Sequence, residues 1–170
     1  MIKHLDSNAL TEIFLDNYPK IFRYISYRVN HREEAEDLAS EVFSRFLRYN
    51  GRLKSSLLGL LYKIAENIVV DYYRRRKVRA DTLTYSDNLD IHPDLDSDFF
   101  ASMKNDDLCM ALKNLTGEQY QVVILRFIEG YSIREAGEIT RKSDNAVKAL
   151  QFRALKSMKH FFTEDTPCEG

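Results

Sequence analysis

Lys63, Asn67, Val70, Arg74 and Lys77 recur at the three- and four-residue spacing that puts side chains on one face of an α-helix. Such a face presents long hydrogen-bond donors and one amide, a chemistry suited to holding phosphates rather than to making or breaking bonds. Arg75 and Arg76 add to its positive end. A second set lies nearer the C-terminus, where Arg141, Lys142, Ser143, Asn145, Lys148, Ala149, Phe152 and Arg153 follow one another. Lys148 and Arg153 can bond phosphates or guanine edges, Asn145 can pair with a base, and Phe152 can touch a thymine methyl. Arg141 and Lys142 are better suited to phosphate. On an isolated helix a basic face is more often a solvated surface that complements the helix dipole, so the elements carrying these residues decide between the two roles.

Catalytic chemistry has little to stand on. His4, His31, His92 and His160 share no motif with one another or with carboxylates, and no glycine-rich phosphate loop or nucleophile elbow occurs. Cys109 and Cys168 make no metal-ligand spacing, and buried or incidental thiols fit them better than a disulfide or a redox pair. We therefore expect neither an enzyme nor a cofactor. The 170 residues, 44% hydrophobic and 30% charged, can bury one ordinary core or two small ones. No stretch resembles a signal peptide, and apolar runs such as residues 122–125 fall far below the roughly 18 residues that cross a bilayer. The expected location is cytoplasmic, with no membrane partner.

Taken alone, the net charge of −1 argues against a nucleic-acid partner, but it averages over a segregated chain. Arg52, Lys54, Lys63, Arg74, Arg75, Arg76, Lys77 and Arg79 outnumber Glu66 and Asp71. Asp81, Asp87, Asp90, Asp94, Asp96, Asp98, Asp106 and Asp107 then face only Lys104, and residues 141–159 turn basic again.

The apolar periodicity is helical throughout. A first helix opens near Asp6 or Ser7 and carries Leu10, Ile13, Phe14, Ile21, Phe22, Tyr24, Ile25 and Val29, with Pro19 placed to kink or split it. Asn30 and Glu33 can form a reciprocal cap for a second helix over residues 31–49, whose apolar face is Ala35, Leu38, Ala39, Val42 and Phe46. Its other side, with Glu34, Asp37, Glu41 and Arg45, has the spacing of a solvated face. A loop at residues 50–56, with Asn50, Arg52 and Lys54, leads to the basic helix of residues 57–77. Its apolar stripe is Leu57, Leu61, Ile64, Ala65, Ile68 and Tyr72. Residues 78–105 lose periodicity and read as an acidic flexible linker. Capping boxes at Thr116 to Gln119 and Ser132 to Glu135 open two further helices, Gly130 ends the first of them, and Ser143 caps a final helix with the stripe Val147, Leu150, Ala154, Met158 and Phe161. A short capped helix, a turn and a longer basic helix make a helix-turn-helix, with Ala136 and Gly137 small enough for close approach. The expected fold class is all-α: an N-terminal helical bundle at residues 1–78, a linker at 79–105, a helix-turn-helix domain at 106–163 and a polar tail at 164–170.

On these motifs the chain resembles an RNA polymerase sigma factor of the extracytoplasmic-function type, in the sigma-70 family. E-D-L-A-S-E-V-F at residues 36–43 stands where the family has D-L-V-Q-E-V-F, and residues 60–67 with Asp71 and Arg74 match W-L-x-x-I-A-x-N-x-x-x-D-x-x-R. Residues 111–115, 130–132 and 142–148, with Arg153 and Ala154, follow the family's second DNA-binding domain. Leu60 stands in place of tryptophan, Arg141 of a turn glycine, Thr116 of a proline and Ala136-Gly137 of Ile-Ala; the loop after Tyr49 lacks the common phenylalanine-rich form. These departures bear on the promoter sequence read, not on the class. The resemblance implies docking on core RNA polymerase through Asp37, Leu38 and Glu41. It implies that Asn50, Arg52, Lys54, Lys63, Asn67, Arg74, Arg75 and Arg76 hold the minus-10 element. The minus-35 element of promoter DNA would fall to Arg141, Lys142, Ser143, Asn145, Lys148, Ala149, Phe152 and Arg153. It further implies an anti-sigma factor as an inhibitory partner, which no residue identifies. Two rivals stay open from the residues alone: a helix-turn-helix regulator with a dimerising N-terminal bundle, and a helical adaptor whose basic faces are solvated.

Overall fold

Asp6 caps the first helix: its carboxylate accepts from the Ala9 amide at 2.7 Å, satisfying one of the N–H groups left open at a helix start. The structure, a computed structural model, describes residues 6–29, 31–51, 56–82 and 106–164. Among them are seven helices and no strand, the all-α class expected. The chain divides into two compact units, residues 1–51 with 61–102 and residues 52–60 with 103–170.

α1, Ser7–Ser26, runs through Pro19 without division. Of the two effects expected of Pro19, a kink or a split, the split does not occur, because a proline removes one backbone bond and strains one turn while Ile21, Tyr24 and Ile25 beyond it are fully buried and hold the helix against its neighbours. α2, Arg32–Leu47, starts after His31, whose side chain makes no cap bond; the cap expected at Asn30 lies outside the described residues. Its buried face is Ala35, Ala39, Val42, Phe43 and Phe46. Leu38 is only half-buried and Phe43 takes the core position, with its ring 4.9 Å from Phe14 of α1.

α3, Leu57–Thr82, is capped by Ser56, whose Oγ accepts from the Gly59 amide at 3.1 Å. It buries Leu61, Tyr62, Ala65, Ile68 and Val69, and Tyr62 meets Tyr24 of α1 edge to face at 5.1 Å. The predicted stripe is thus shifted by a fraction of a turn: Leu57, Ile64 and Tyr72 are half-buried flanks, while Tyr62 and Val69 lie at the centre. The helix also passes the predicted end at Lys77 by more than a turn, so the first residues assigned to the linker are helical. No proline or glycine falls within residues 78–82 to stop it.

In the other unit α4, Asp106–Lys113, buries Ala111 and Leu112. The Thr116 capping box opens α5, Gly117–Val123, which continues into a π-helical segment, Ile124–Ile128. Gly130 ends it at φ +75°, a conformation that favours glycine. The Ser132 box opens α6, Ile133–Thr140, and α7 spans Asp144–Glu164. Val147, Leu150 and Ala154 of α7 are buried in a core completed by Leu112, Tyr120, Ile124, Leu125, Ala136 and Ile139.

Candidate nucleic-acid interface

Burial of one stripe dictates what the rest of α3 shows. With Leu61, Ala65 and Ile68 turned inward, Lys63, Asn67, Val70, Arg74 and Lys77 are all exposed, a row about 21 Å long at 1.5 Å per residue. Lys63 Nζ lies 3.0 Å from Glu66 and Arg74 Nη2 lies 3.1 Å from Asp71, contacts that solvent screens and a phosphate can replace. Arg75 and Lys77 are exposed and have no ion-pair partner among the described residues. Val70 and Tyr73, exposed between the cations, offer apolar and aromatic surface of the kind that stacks on unpaired bases. Asn50 is exposed at the end of the preceding segment, whereas Arg52 and Lys54 lie outside the described residues.

Arg76 is different. Its Nη1 donates to Tyr72 Oη at 2.7 Å, and Tyr72 donates in turn to Glu34 of α2 at 2.5 Å. Burial, then the bond to Glu34, pushes the Tyr72 phenol up to about 12, and the bond to Tyr72 raises Arg76 above its ordinary value. The Glu34, Glu41 and Arg45 side of α2 is therefore not the simple solvated face its spacing predicts. Arg45 bonds Glu41 at 2.5 Å and lies 3.8 Å from Asp71 of α3, so this side ties α2 to the basic helix. Asp37 alone of the residues assigned to polymerase docking is exposed; Leu38 and Glu41 are half-buried. Sequence reading missed Glu34 and Tyr72 because their partnership spans 38 residues and no local pattern announces it.

The second surface is assembled by the helix-turn-helix. Both capping boxes close reciprocally, Thr116 with Gln119 and Ser132 with Glu135. The hydroxyl and amide of Ser132 hold the Glu135 carboxyl below the usual carboxylate range. Ser143 Oγ accepts from the Ala146 amide at 3.2 Å and so caps α7. Gly137 is buried, and a Cβ there would stand 2.7 Å from the Lys142 carbonyl oxygen; only glycine lets α6 and the turn approach this closely. Arg141 ends α6 in the left-handed region at φ 59° and is exposed. Lys142 is drawn aside, its Nζ 2.5 Å from Glu118 at the start of α5, so it is less available than Arg141. Asn145, Lys148, Phe152 and Arg153 are exposed on one face of α7, with Ala149 half-buried among them and Phe152 69% open. Lys156 continues the same face. Arg126 of the π-helical segment donates to Gln151 of α7 at 3.1 Å and to the Tyr131 carbonyl, which ties α7 to that segment. Among the described residues no group of His, Cys, Asp and Glu could hold a metal ion.

These features define an all-helical chain with a helix-turn-helix and a separate basic helix. Residues 13–79 match the family Sigma-70 region 2, and residues 111–160 match Sigma-70, region 4. The chain is 31% identical to the ECF RNA polymerase sigma factor SigX of Bacillus subtilis, over 87% of its own length and 81% of that protein's. It is 30% identical to the ECF RNA polymerase sigma factor BldN of Streptomyces coelicolor, over 94% of its own length and 62% of BldN's. The fold resembles two solved structures: the sigma factor RpoE in complex with the anti-sigma factor NepR from Bartonella quintana (TM-score 0.62, 20% identity, 92% of this chain and 98% of that one), and CnrH in complex with the cytosolic domain of CnrY (TM-score 0.66, 15% identity, 95% and 92%). The chain belongs to the sigma-70 family, among the sigma factors of the ECF type, which are transcription initiation factors.

Proposed function

We propose that this chain binds core RNA polymerase, reads the minus-35 and minus-10 elements of promoters and promotes their opening, without catalytic chemistry of its own. The observation that carries the reading is the pairing of two donor surfaces of different design in one chain. Asn145, Lys148, Phe152 and Arg153 form a compact face on a helix of the type that enters a major groove. Lys63, Asn67 and Arg74 form an extended row, with Arg75 and Arg76 beside its basic end on other sides of the helix, suited to the backbone of a single strand whose bases are unstacked. Extruding a base costs a few kcal/mol, and charge along that row offsets it. Residues 1–78 would serve polymerase and minus-10 binding and residues 106–163 minus-35 binding, joined by the acidic stretch 79–105. Asp37 is the exposed carboxylate on α2 through which docking on polymerase is best tested, with Leu38 and Glu41 beside it. A solved neighbour captured with the anti-sigma factor NepR supports an anti-sigma partner for this chain as well. No described helix is long and apolar enough to cross a membrane, which fits work in the cytoplasm beside the polymerase.

A helix-turn-helix regulator would bind duplex DNA by itself and ignore the polymerase. The chain should instead bind core polymerase tightly in the absence of DNA, measured by fluorescence anisotropy, with Asp37→Ala weakening it several-fold. No binding to core would remove the proposal.

A further inference from the structure

Arg76 is held across helices by a directed chain of bonds. Its Nη1 donates to Tyr72 Oη at 2.7 Å, the Tyr72 hydroxyl donates to Glu34 Oε2 at 2.5 Å, and the guanidinium itself stays 3.9 Å from that same carboxylate oxygen. The phenol hydroxyl thus serves once as acceptor and once as donor, standing between two charges that would otherwise meet. Arginine and a carboxylate free to close this gap form a bidentate bridge that occupies the fork of the guanidinium. With Tyr72 interposed, one N–H is engaged and the remainder of the five donors stay available. The guanidinium carbon lies 5.6 Å from the Tyr72 ring centroid, which fixes its azimuth on α3 as well as its reach.

The spacer is itself braced. Tyr73 donates to the Arg28 carbonyl, and its ring stands at 77° to that of Tyr72 with centroids 5.3 Å apart. Consecutive tyrosines therefore anchor the basic end of α3 on two different elements, α2 and the segment after α1. The phenol keeps its proton throughout the physiological range, so the donor to Glu34 is always present.

We propose that Tyr72 is a positioning residue for promoter binding: anchored on Glu34, its hydroxyl holds Arg76 short of a bidentate bridge and aims the remaining donors at the strand phosphates. This rests on the reading of Arg76 as a strand contact. Glu34 and Arg76 side chains are each 39% exposed, so solvent screening limits the effect to a few-fold.

The test uses the full chain bound to core polymerase and a fork promoter with a single-stranded minus-10 region, with affinity measured over a range of salt. Arg76→Ala should weaken binding several-fold and lower the salt slope by about one. Tyr72→Phe should weaken binding about 2- to 5-fold, add nothing in the Arg76→Ala background, and be restored by Glu34→Gln, which removes the competing charge. Glu34→Gln alone should bind at least as tightly as the unmodified chain, which keeps the proposal testable should Tyr72→Phe fold poorly. If Tyr72→Phe costs the same with Arg76 absent, or Glu34→Gln weakens binding, Tyr72 is merely structural and the proposal is overturned. If Arg76→Ala has no effect, the assignment of Arg76 to the strand fails first and takes this inference with it.

Discussion

Arg141 carries two demands at one position. It ends α6 with φ 59° and ψ 41°, a conformation that costs a residue with a Cβ about 1–2 kcal/mol, and its guanidinium is exposed on the turn that we propose approaches DNA. Arg141→Gly should therefore stabilise the helix-turn-helix by about 0.5–1 kcal/mol in thermal or denaturant unfolding, while weakening minus-35 DNA binding. A variant that loses both stability and affinity would show that the left-handed turn is not strained. Glu135 gives a pH-dependent counterpart. Its carboxyl is lowered by the bonds from Ser132, so its contribution is fully present above the unfolded value of about 4.3 and is lost as pH falls through the lower folded value. Glu135→Gln should flatten that part of the acid unfolding curve. The replacement of a turn glycine by Arg141 was visible in sequence, but it was read as bearing on the promoter sequence, and the left-handed backbone behind it came only with the structure. The bond drawing Lys142 to Glu118 was not legible, because nothing local links residues 24 apart.

At the scale of elements, helix starts were far easier to read than helix ends or the roles of faces. Thr116, Ser132 and Ser143 cap as their spacing demands, because a short side chain must meet an N–H two or three residues on. The end of α3 was misplaced because composition turns acidic before the helix stops, and charge alone does not break a helix. The π-helical segment left no signature either: the Glu129 amide donates to the Ile124 carbonyl and the Tyr131 amide to that of Leu125, a widened turn that closes at Gly130 with its positive φ. The α2 face was misjudged for a related reason. Solvated and cross-bonded carboxylates share one spacing, and only the neighbouring helix tells them apart. The turn between α6 and α7 gives the sharpest check on packing. Gly137→Ala would push a methyl to 2.7 Å from a backbone oxygen and should destabilise the domain by about 1–3 kcal/mol, read by hydrogen exchange in α6 and α7. Unchanged protection would mean that the close approach is not needed.

For the whole molecule, a net charge of −1 coexists with two cationic surfaces because the charges are segregated along the sequence, with aspartates dominating the stretch between the two basic blocks. The candidate DNA contacts were legible as exposed positions: with the buried stripes known, Lys63, Asn67, Arg74, Asn145, Lys148 and Arg153 all face outward. What sequence left out is how they are held, by Asp71, by Tyr72 with Glu34, and by Arg126 with Gln151. Function as an initiation factor needs both surfaces at once with polymerase as the platform, and one measurement addresses that directly. Transcription in vitro with core polymerase, this chain and genomic DNA fragments should initiate at discrete start sites sharing minus-35 and minus-10 elements. Lys148→Ala with Arg153→Ala should lower initiation at these sites at least several-fold. Failure to bind core, or initiation no different from that of core polymerase alone, would contradict the account.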